Sequence, residues 1–287
     1  ATARRGGWAS RCCGTSSTSD LTDASSRGPW GHAYGGQLVG GFPTTCNMHF
    51  SHTPKLWAAF PRLTAGVMHA CGVHGAPDFD DLVRAHTQAA KRRLDGSDNA
   101  STPVPLPEGQ WPEIQAWRRV YSEMGLQPTQ VRCAAEALLR RLRQDGQLPK
   151  VHPLVDLCNA VSVHAAAPIA IFDCARVAWR LSVANAQGDE EFLTFSGEVE
   201  HPAEAEVVFV DAARRAHARK WAHRQSSFSA VSTSTESVLI VIEAFHDGAA
   251  SSVASALARL EEAFGRVPGC TTTSRMLSAS TPDFPGS

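Results

Sequence analysis

The sequence predicts an α+β fold: an N-terminal helical segment packed on a mixed, mostly antiparallel β-sheet core with flanking helices. Three observations carry this. Apolar residues recur at helical spacing between Pro54 and Ala166. Short apolar runs separated by turn residues then follow from "PIAIFD" to "SVLIVIEAF". One amphipathic helix closes the pattern, so helices precede strands instead of alternating with them.

Each element has a local reason. Residues 1–47, with stretches such as "GTSSTSDLTDASSRG", are rich in Gly, Ser and Thr and show no period, so they are read as mostly disordered. The orderly pattern begins after Met48, the first methionine. Pro54 follows Thr53 and is pre-shaped for the first position of a short helix through Phe60. "AGVMHACGV" reads as a strand. Phe79, Leu82, Val83, His86 and Ala90 share a helical face, and "DGSDNASTPVPLPEG" is a surface linker. Ile114, Trp117, Tyr121 and Met124 line a helix that ends at Gly125. Val131, Ala135, Leu138, Leu139 and Leu142 line the next, which stops at Gly146. The turn "GLQP" makes these two an antiparallel pair. A helix from about Pro153 to Ala166 leads into "PIAIFD". "RVAWRLSVANA", "EEFLTFSG" and "AEVVFVDA" are short strands. "SVLIVIEAF" is apolar on both faces and so central in its sheet. Gly248 precedes a final helix carrying Val253, Leu257 and Leu260. Residues 266–287 are read as a loose tail, which sets the ordered domain at 48–265.

Composition limits the function. The chain has 287 residues, 43% of them apolar, enough to bury a core for one domain or two. Its net charge of −1 lacks the basic excess of a protein that coats duplex nucleic acid, so any such contact is local. The eight cysteines have no paired metal spacing, which fits free thiols and a cytoplasmic location. No signal peptide and no apolar run long enough to span a bilayer is found, so no membrane association is expected. His201, His217, His223 and His246 match no zinc pattern, and neither a metal nor a cofactor is expected. The segment "HRQSS" lacks a nucleophile elbow.

One stretch stands out. "RRAHARKWAHRQSS", Arg214 to Ser227, packs seven potential cations into its first eleven residues and encloses a tryptophan. Read as a strand over Arg215–Gln225, it places Arg215, His217, Arg219, Trp221, His223 and Gln225 on one face. Ala216, Ala218, Lys220, Ala222 and Arg224 take the other. Such a face is either a solvated sheet surface or the polar wall of a pocket. In the second reading arginine binds phosphate or carboxylate by its planar fork of donors, Trp221 offers a stacking surface, and Gln225 and Ser226 bond an amine, carbonyl or water. Glu243 lies in an apolar strand and needs a partner; Arg219 or Arg224 could supply it. Asn159 and Asp156 share a helical face. Arg118, Arg119 and Arg140–Arg143 are either solvated or non-specific phosphate contacts.

At "VDLCNAVSVHAAAPIAIFD", and on through "VANAQGDEEFLTFSG", "EVVFVDAARRAHA" and "TSTESVLIVIEAF", the chain resembles the B3/B4 domain of the phenylalanyl-tRNA synthetase β subunit. The likeness spans roughly residues 110–262. With the segment from Met48 it is similar to free-standing B3/B4 proteins, which lack an attached synthetase. The resemblance implies a module that binds tRNA and edits mischarged tRNA. It also implies that Asn159 and Glu243 match the family's helix Asn and core-strand Glu. Gln225 and Ser226 stand where synthetases carry a Gly-Gly-Glu-Ser type segment, and Ala170 where they carry a His. These departures, and the bulky "KWAHRQ", point away from tyrosine on tRNA and towards a smaller or more polar cavity. No synthetase catalytic domain fits in the remaining residues, so ligase activity is not expected.

The sequence therefore leads to a stand-alone trans-editing factor that hydrolyses mischarged aminoacyl-tRNA and takes the aminoacylated acceptor end as its partner. Asn159, Gln225 and Ser226 would orient amine, carbonyl or water. His217, Arg219, Trp221, His223, Arg224 and Glu243 would bind substrate, with a ribose hydroxyl positioning the water. A non-catalytic tRNA- or partner-binding module derived from the synthetase β subunit is the alternative, and a sensor of small free amino acids is a third.

Overall fold

The computed structural model describes residues 48–74, 77–97 and 105–285. In chain order the elements are β1 (His49–His52), α1 (Pro54–Ala59), β2 (Thr64–Cys71), α2 (Asp80–Asp95), α3 (Pro112–Glu123), α4 (Ala134–Asp145), α5 (Pro153–Ala165), β3 (Ile169–Asp173), β4 (Arg180–Asn185), β5 (Phe192–Leu193), β6 (Val199–Glu200), β7 (Val207–Asp211), β8 (Ala216–Arg219), β9 (Arg224–Gln225), β10 (Ser237–Ala244), α6 (Ala249–Phe264), β11 (Thr271–Leu277) and β12 (Asp283–Phe284). One sheet has the order β12-β1-β4-β7-β8-β9, with β1 and β4 parallel and the other pairs antiparallel. The second, β11-β2-β10-β3, is antiparallel throughout. β5 and β6 form a separate hairpin. The fold is α+β, mixed and mostly antiparallel.

β10 shows why the patterning works. Val238, Ile240 and Ile242 pack with Leu157 and Val161 of α5 and Val253 and Leu260 of α6. Leu239 and Val241 join Leu181 and Phe209 of the other sheet and Trp117 and Leu139 of α3 and α4. A strand covered on both faces has no polar phase. α6 lies so close to β2 that a Cβ added at Gly66 would stand 2.6 Å from Val253 Cγ1 and 2.8 Å from Leu257 Cδ1. Only a hydrogen fits there, and that contact sets the spacing of helix and sheet.

The C-terminal segment corrects the sequence reading. Residues 266–285 are not a loose tail. β11 pairs with β2 from Thr271↔Cys71 to Leu277↔Ala65, and Phe284 of β12 pairs with Phe50 and is buried. The run "TTTSRML" is polar by composition, yet its β-branched threonines suit an edge strand. Its partner lies about two hundred residues upstream, beyond any local pattern. The disorder assigned to residues 1–47 lies outside the described residues.

Candidate functional site

The cationic stretch is not one strand. β8 ends at Arg219, a four-residue turn follows, and β9 returns antiparallel with Ala218↔Gln225 and Arg219↔Arg224. Lys220 and Trp221 take φ of 47° and 59°, the left-handed region, with no Gly, Asn or Asp to mark the turn. Neighbours hold it there. Lys220 N–H donates to Glu206 at 3.0 Å, Trp221 N–H to the Val207 carbonyl at 2.7 Å, and Ala134 N–H to the Ala222 carbonyl at 2.8 Å. The turn breaks the period-two phase, so Trp221 leaves the face of His217 and Arg219 and enters the core. Phe60, Trp117 and Phe245 enclose its ring at centroid distances of 5.1, 5.7 and 5.3 Å. It is a wall and an anchor, not an open stacking surface.

Beside this turn lies a cavity of about 60 Å³ whose lining includes Ala170, Trp221, His223, Arg224, Gln225 and Glu243. Glu243 is 3% exposed. Its Oε1 accepts from Trp221 Nε1 at 2.8 Å and pairs with His52 Nε2 at 2.7 Å. Both contacts fall on Oε1, which leaves Oε2 without a partner among the described residues. Gln225 Nε2 donates to the Ile171 carbonyl at 2.6 Å and ties β9 to β3. His223 Nδ1 lies 2.7 Å from the Arg132 carbonyl. A carbonyl only accepts, so Nδ1 carries the proton and Nε2 keeps its lone pair. Burial lowers the His223 pKa; the Arg132 carbonyl pulls it up, Lys220 and Arg224 push it down, and the net is below the ordinary imidazole value. The cavity thus gathers a neutral imidazole and a carboxylate oxygen. The space is small beside the roughly 150 Å³ that admits a benzene ring.

Several expected residues sit elsewhere. Arg219 and Arg224 do not pair with Glu243. Arg219 is bidentate on Glu206 at 2.9 Å and bonds Glu200 at 2.6 Å, and Arg224 bonds Glu200 at 3.1 Å. Those two acids were nearer in the sheet than the buried Glu243. Ser226 is buried; its Oγ donates to the Leu193 carbonyl at 2.8 Å and accepts from Leu193 and Phe228 N–H. It pins β5 and does not line the cavity. Asn159 is half-buried on α5 and is also absent from the lining. His217 is fully buried, with Nδ1 2.8 Å from Ser229 Oγ and Nε2 3.1 Å from Asp211 Oδ2. These are the components of a Ser-His-Asp relay, but all three residues are sealed in the interior. Burial raises the Asp211 pKa, but His217 and the Ala178 and Arg215 N–H groups outweigh it, so the carboxyl lies below its ordinary value. The trio is a structural clamp.

Other candidates are engaged in the fold. Arg118 pairs with Glu136, Arg143 with Glu108 and Arg141 with Asp145. His201 Nδ1 bonds the Glu190 carbonyl and His246 Nε2 the Ser252 hydroxyl, so the four histidines are dispersed. No group of three or more His, Cys, Asp or Glu could hold a metal among the described residues. Burial pushes the Cys133 thiol up to about 12 and raises Cys158, so both are inert core groups. No described helix is long and apolar enough to cross a membrane. Sequence reasoning missed His52, the partner of Glu243. The only signal was "HFSH", where Phe50 and His52 share the buried phase of β1.

Comparison with known proteins places the chain. No curated protein sequence matches it. Among solved structures it is similar to an N-terminal fragment of the phenylalanyl-tRNA synthetase beta subunit from Pyrococcus horikoshii, at 12% identity and a TM-score of 0.35. The likeness covers 78% of this chain and 50% of that one, so the chain spans about half the length of that structure. A family model described as "B3/4 domain" matches residues 116–267, which run from α3 past the end of α6 and include every residue of the candidate site except His52. With more than half of its length matched, the chain belongs to the B3/4 domain family.

Proposed function

We propose that this protein binds tRNA and that the cavity beside Trp221 receives the aminoacylated acceptor end, where a misacylated ester of a small amino acid is hydrolysed. Family membership and the sequence resemblance to the synthetase module support the tRNA reading. The observation that carries the chemistry is His223. It is neutral, lines the cavity, and has Nε2 free while Nδ1 is fixed on the Arg132 carbonyl. Such a nitrogen takes a proton from water as the water attacks the ester carbonyl. Glu243 Oε2 is an acceptor for the substrate's α-ammonium. The volume of about 60 Å³ favours glycine, alanine or serine over an aromatic side chain.

A panel of aminoacyl-tRNAs tests this. Glycyl-, alanyl- or seryl-tRNA should release its amino acid and tyrosyl-tRNA should not. His223→Gln should slow release by about 10²–10⁴-fold, the usual contribution of a general base. One observation favours the second reading, a non-catalytic module: Arg219 and Arg224, the expected phosphate contacts, are closed on Glu200 and Glu206. Retention of tRNA with no release from any charged species would select that reading. Absence of both would refute the tRNA assignment.

A further inference from the structure

Trp179 is 84% exposed, more than any other large apolar side chain among the described residues, whereas Trp57, Trp111, Trp117 and Trp221 are buried. Its backbone is unusual too. Arg180 N–H donates to the Ala178 carbonyl at 2.7 Å and closes a three-residue turn with Trp179 at its apex at φ 63°. A γ-turn of this hand is rare and strained, the more so for a bulky residue.

The interior is organised to hold that turn. Asp211 Oδ2 accepts from Ala178 N–H at 3.0 Å, and Ala212 N–H donates to the Ala178 carbonyl at 3.2 Å. Asp211 is in turn fixed by the buried His217, which bonds Ser229. A sealed Ser229–His217–Asp211 chain thus stabilises a turn that presents an indole to solvent. The surroundings are cationic. Arg180 is the next residue, and Arg215 lies across the β7–β8 turn, with its carbonyl accepting from Asp211 N–H at 3.1 Å. Both are exposed, and neither forms an ion pair among the described residues. Arg215 also sits 5.3 Å from the Phe228 ring centroid. Arg176, exposed and two residues before Ala178, has only a 3.5 Å contact to Asp173.

An open aromatic side chain with exposed arginines next to it in the chain and across the β7–β8 turn matches an unpaired base and its phosphates. We propose that Trp179, with Arg180 and Arg215, is a stacking platform for an unpaired nucleotide of the bound RNA, separate from the cavity. The four residues of β8, about 13 Å at 3.3 Å each, separate the Arg215 turn from the Lys220–His223 turn. This proposal rests on the tRNA reading above.

The test is binding of a tRNA transcript by the full chain at several salt concentrations, together with iodide quenching of tryptophan fluorescence. Trp179→Ala should weaken binding by about 10-fold and Trp179→Phe by much less, since the stacking face is retained. Arg180→Ala and Arg215→Ala should each reduce the salt slope by about 0.7–0.9. Bound tRNA should shield from iodide the fluorescence that Trp179→Phe removes. If the native chain binds tRNA while Trp179→Ala binds equally well and shielding is absent, the platform is overturned and the tRNA reading stands. If the native chain binds no tRNA at low salt, both fall. Loss of binding to phosphatidylserine vesicles in Trp179→Ala, with RNA binding intact, would assign the patch to lipid and also overturn the proposal.

Discussion

Replacing Trp221 by Phe removes the indole N–H that donates to buried Glu243 at 2.8 Å, while His52 remains on the same oxygen. A hydrogen bond to a charged group contributes about 1.5–3 kcal/mol. The smaller ring also leaves space among Phe60, Trp117 and Phe245, where a void costs about 24 cal/mol per Å³, roughly 1 kcal/mol more. The expected loss is about 2.5–4 kcal/mol, a large share of the 5–15 kcal/mol typical of a domain. Urea unfolding followed by circular dichroism measures it as a lower midpoint at unchanged m. The same void adjoins the cavity, so the variant should release larger amino acids, such as valine, from their tRNA. A loss under about 1 kcal/mol would refute the claim that the indole N–H secures Glu243 and holds the strained turn in place.

Two further predictions concern the helices. Burial, then the charge of Arg259, lowers His86 and His164 below the ordinary imidazole value, His164 to about 4, and their Nδ1 atoms meet at 2.9 Å between α2 and α5. Between about 6.5 and about 4 the unfolded chain binds more protons than the folded one, so stability falls as pH falls through that window and is complete above it. Both rings are partly solvated, so the effect is about 1–2 kcal/mol after allowance for screening. His164→Gln should flatten the fall in a series of urea titrations from pH 7.5 to pH 4.5, and an unchanged slope would assign it to other groups. Gly66→Ala drives a Cβ against Val253 and Leu257 and should cost about 1–3 kcal/mol, seen as a Tm several degrees lower. Leu257→Ala in the same chain should recover part of it; strict additivity would contradict the close approach.

Local periodicity made most of the fold legible. The apolar phases of α3, α4 and α6 and the doubly buried β10 read directly from spacing, because 3.6 and 2 are properties of short segments. β11 did not, since its polar threonines form a strand only when β2 supplies the ladder. The site was legible in composition and not in geometry. Trp221, His223, Arg224, Gln225 and Glu243 do meet at one cavity. Their alternation failed because Lys220 and Trp221 turn without a turn residue. Glu243 was assigned an arginine because nearby arginines are visible in sequence, whereas His52 lies 191 residues away. Glu200 and Glu206 reach the arginines from β6 and the segment before β7, and only the hairpin brings them near.

Both ends of β8 show the same physical device. At its C-terminal end, two left-handed residues turn Trp221 inward, secured by Glu206, Val207 and the carboxylate of Glu243. At its N-terminal end, Asp211 secures Trp179 in a left-handed turn that faces outward. Strained backbone persists only where surrounding bonds over-determine it. Here each strained tryptophan is tied to a buried carboxylate, Trp221 through its indole N–H to Glu243 and Trp179 through the neighbouring Ala178 N–H to Asp211, and each carboxylate pairs with a buried histidine, His52 or His217. Disturbing His217 should therefore loosen Trp179 and leave the cavity in place, whereas disturbing His52 should open the cavity and leave Trp179 unmoved. The two carboxylate–histidine pairs make the inner and outer tryptophans separable in mutagenesis although a single four-residue strand joins them.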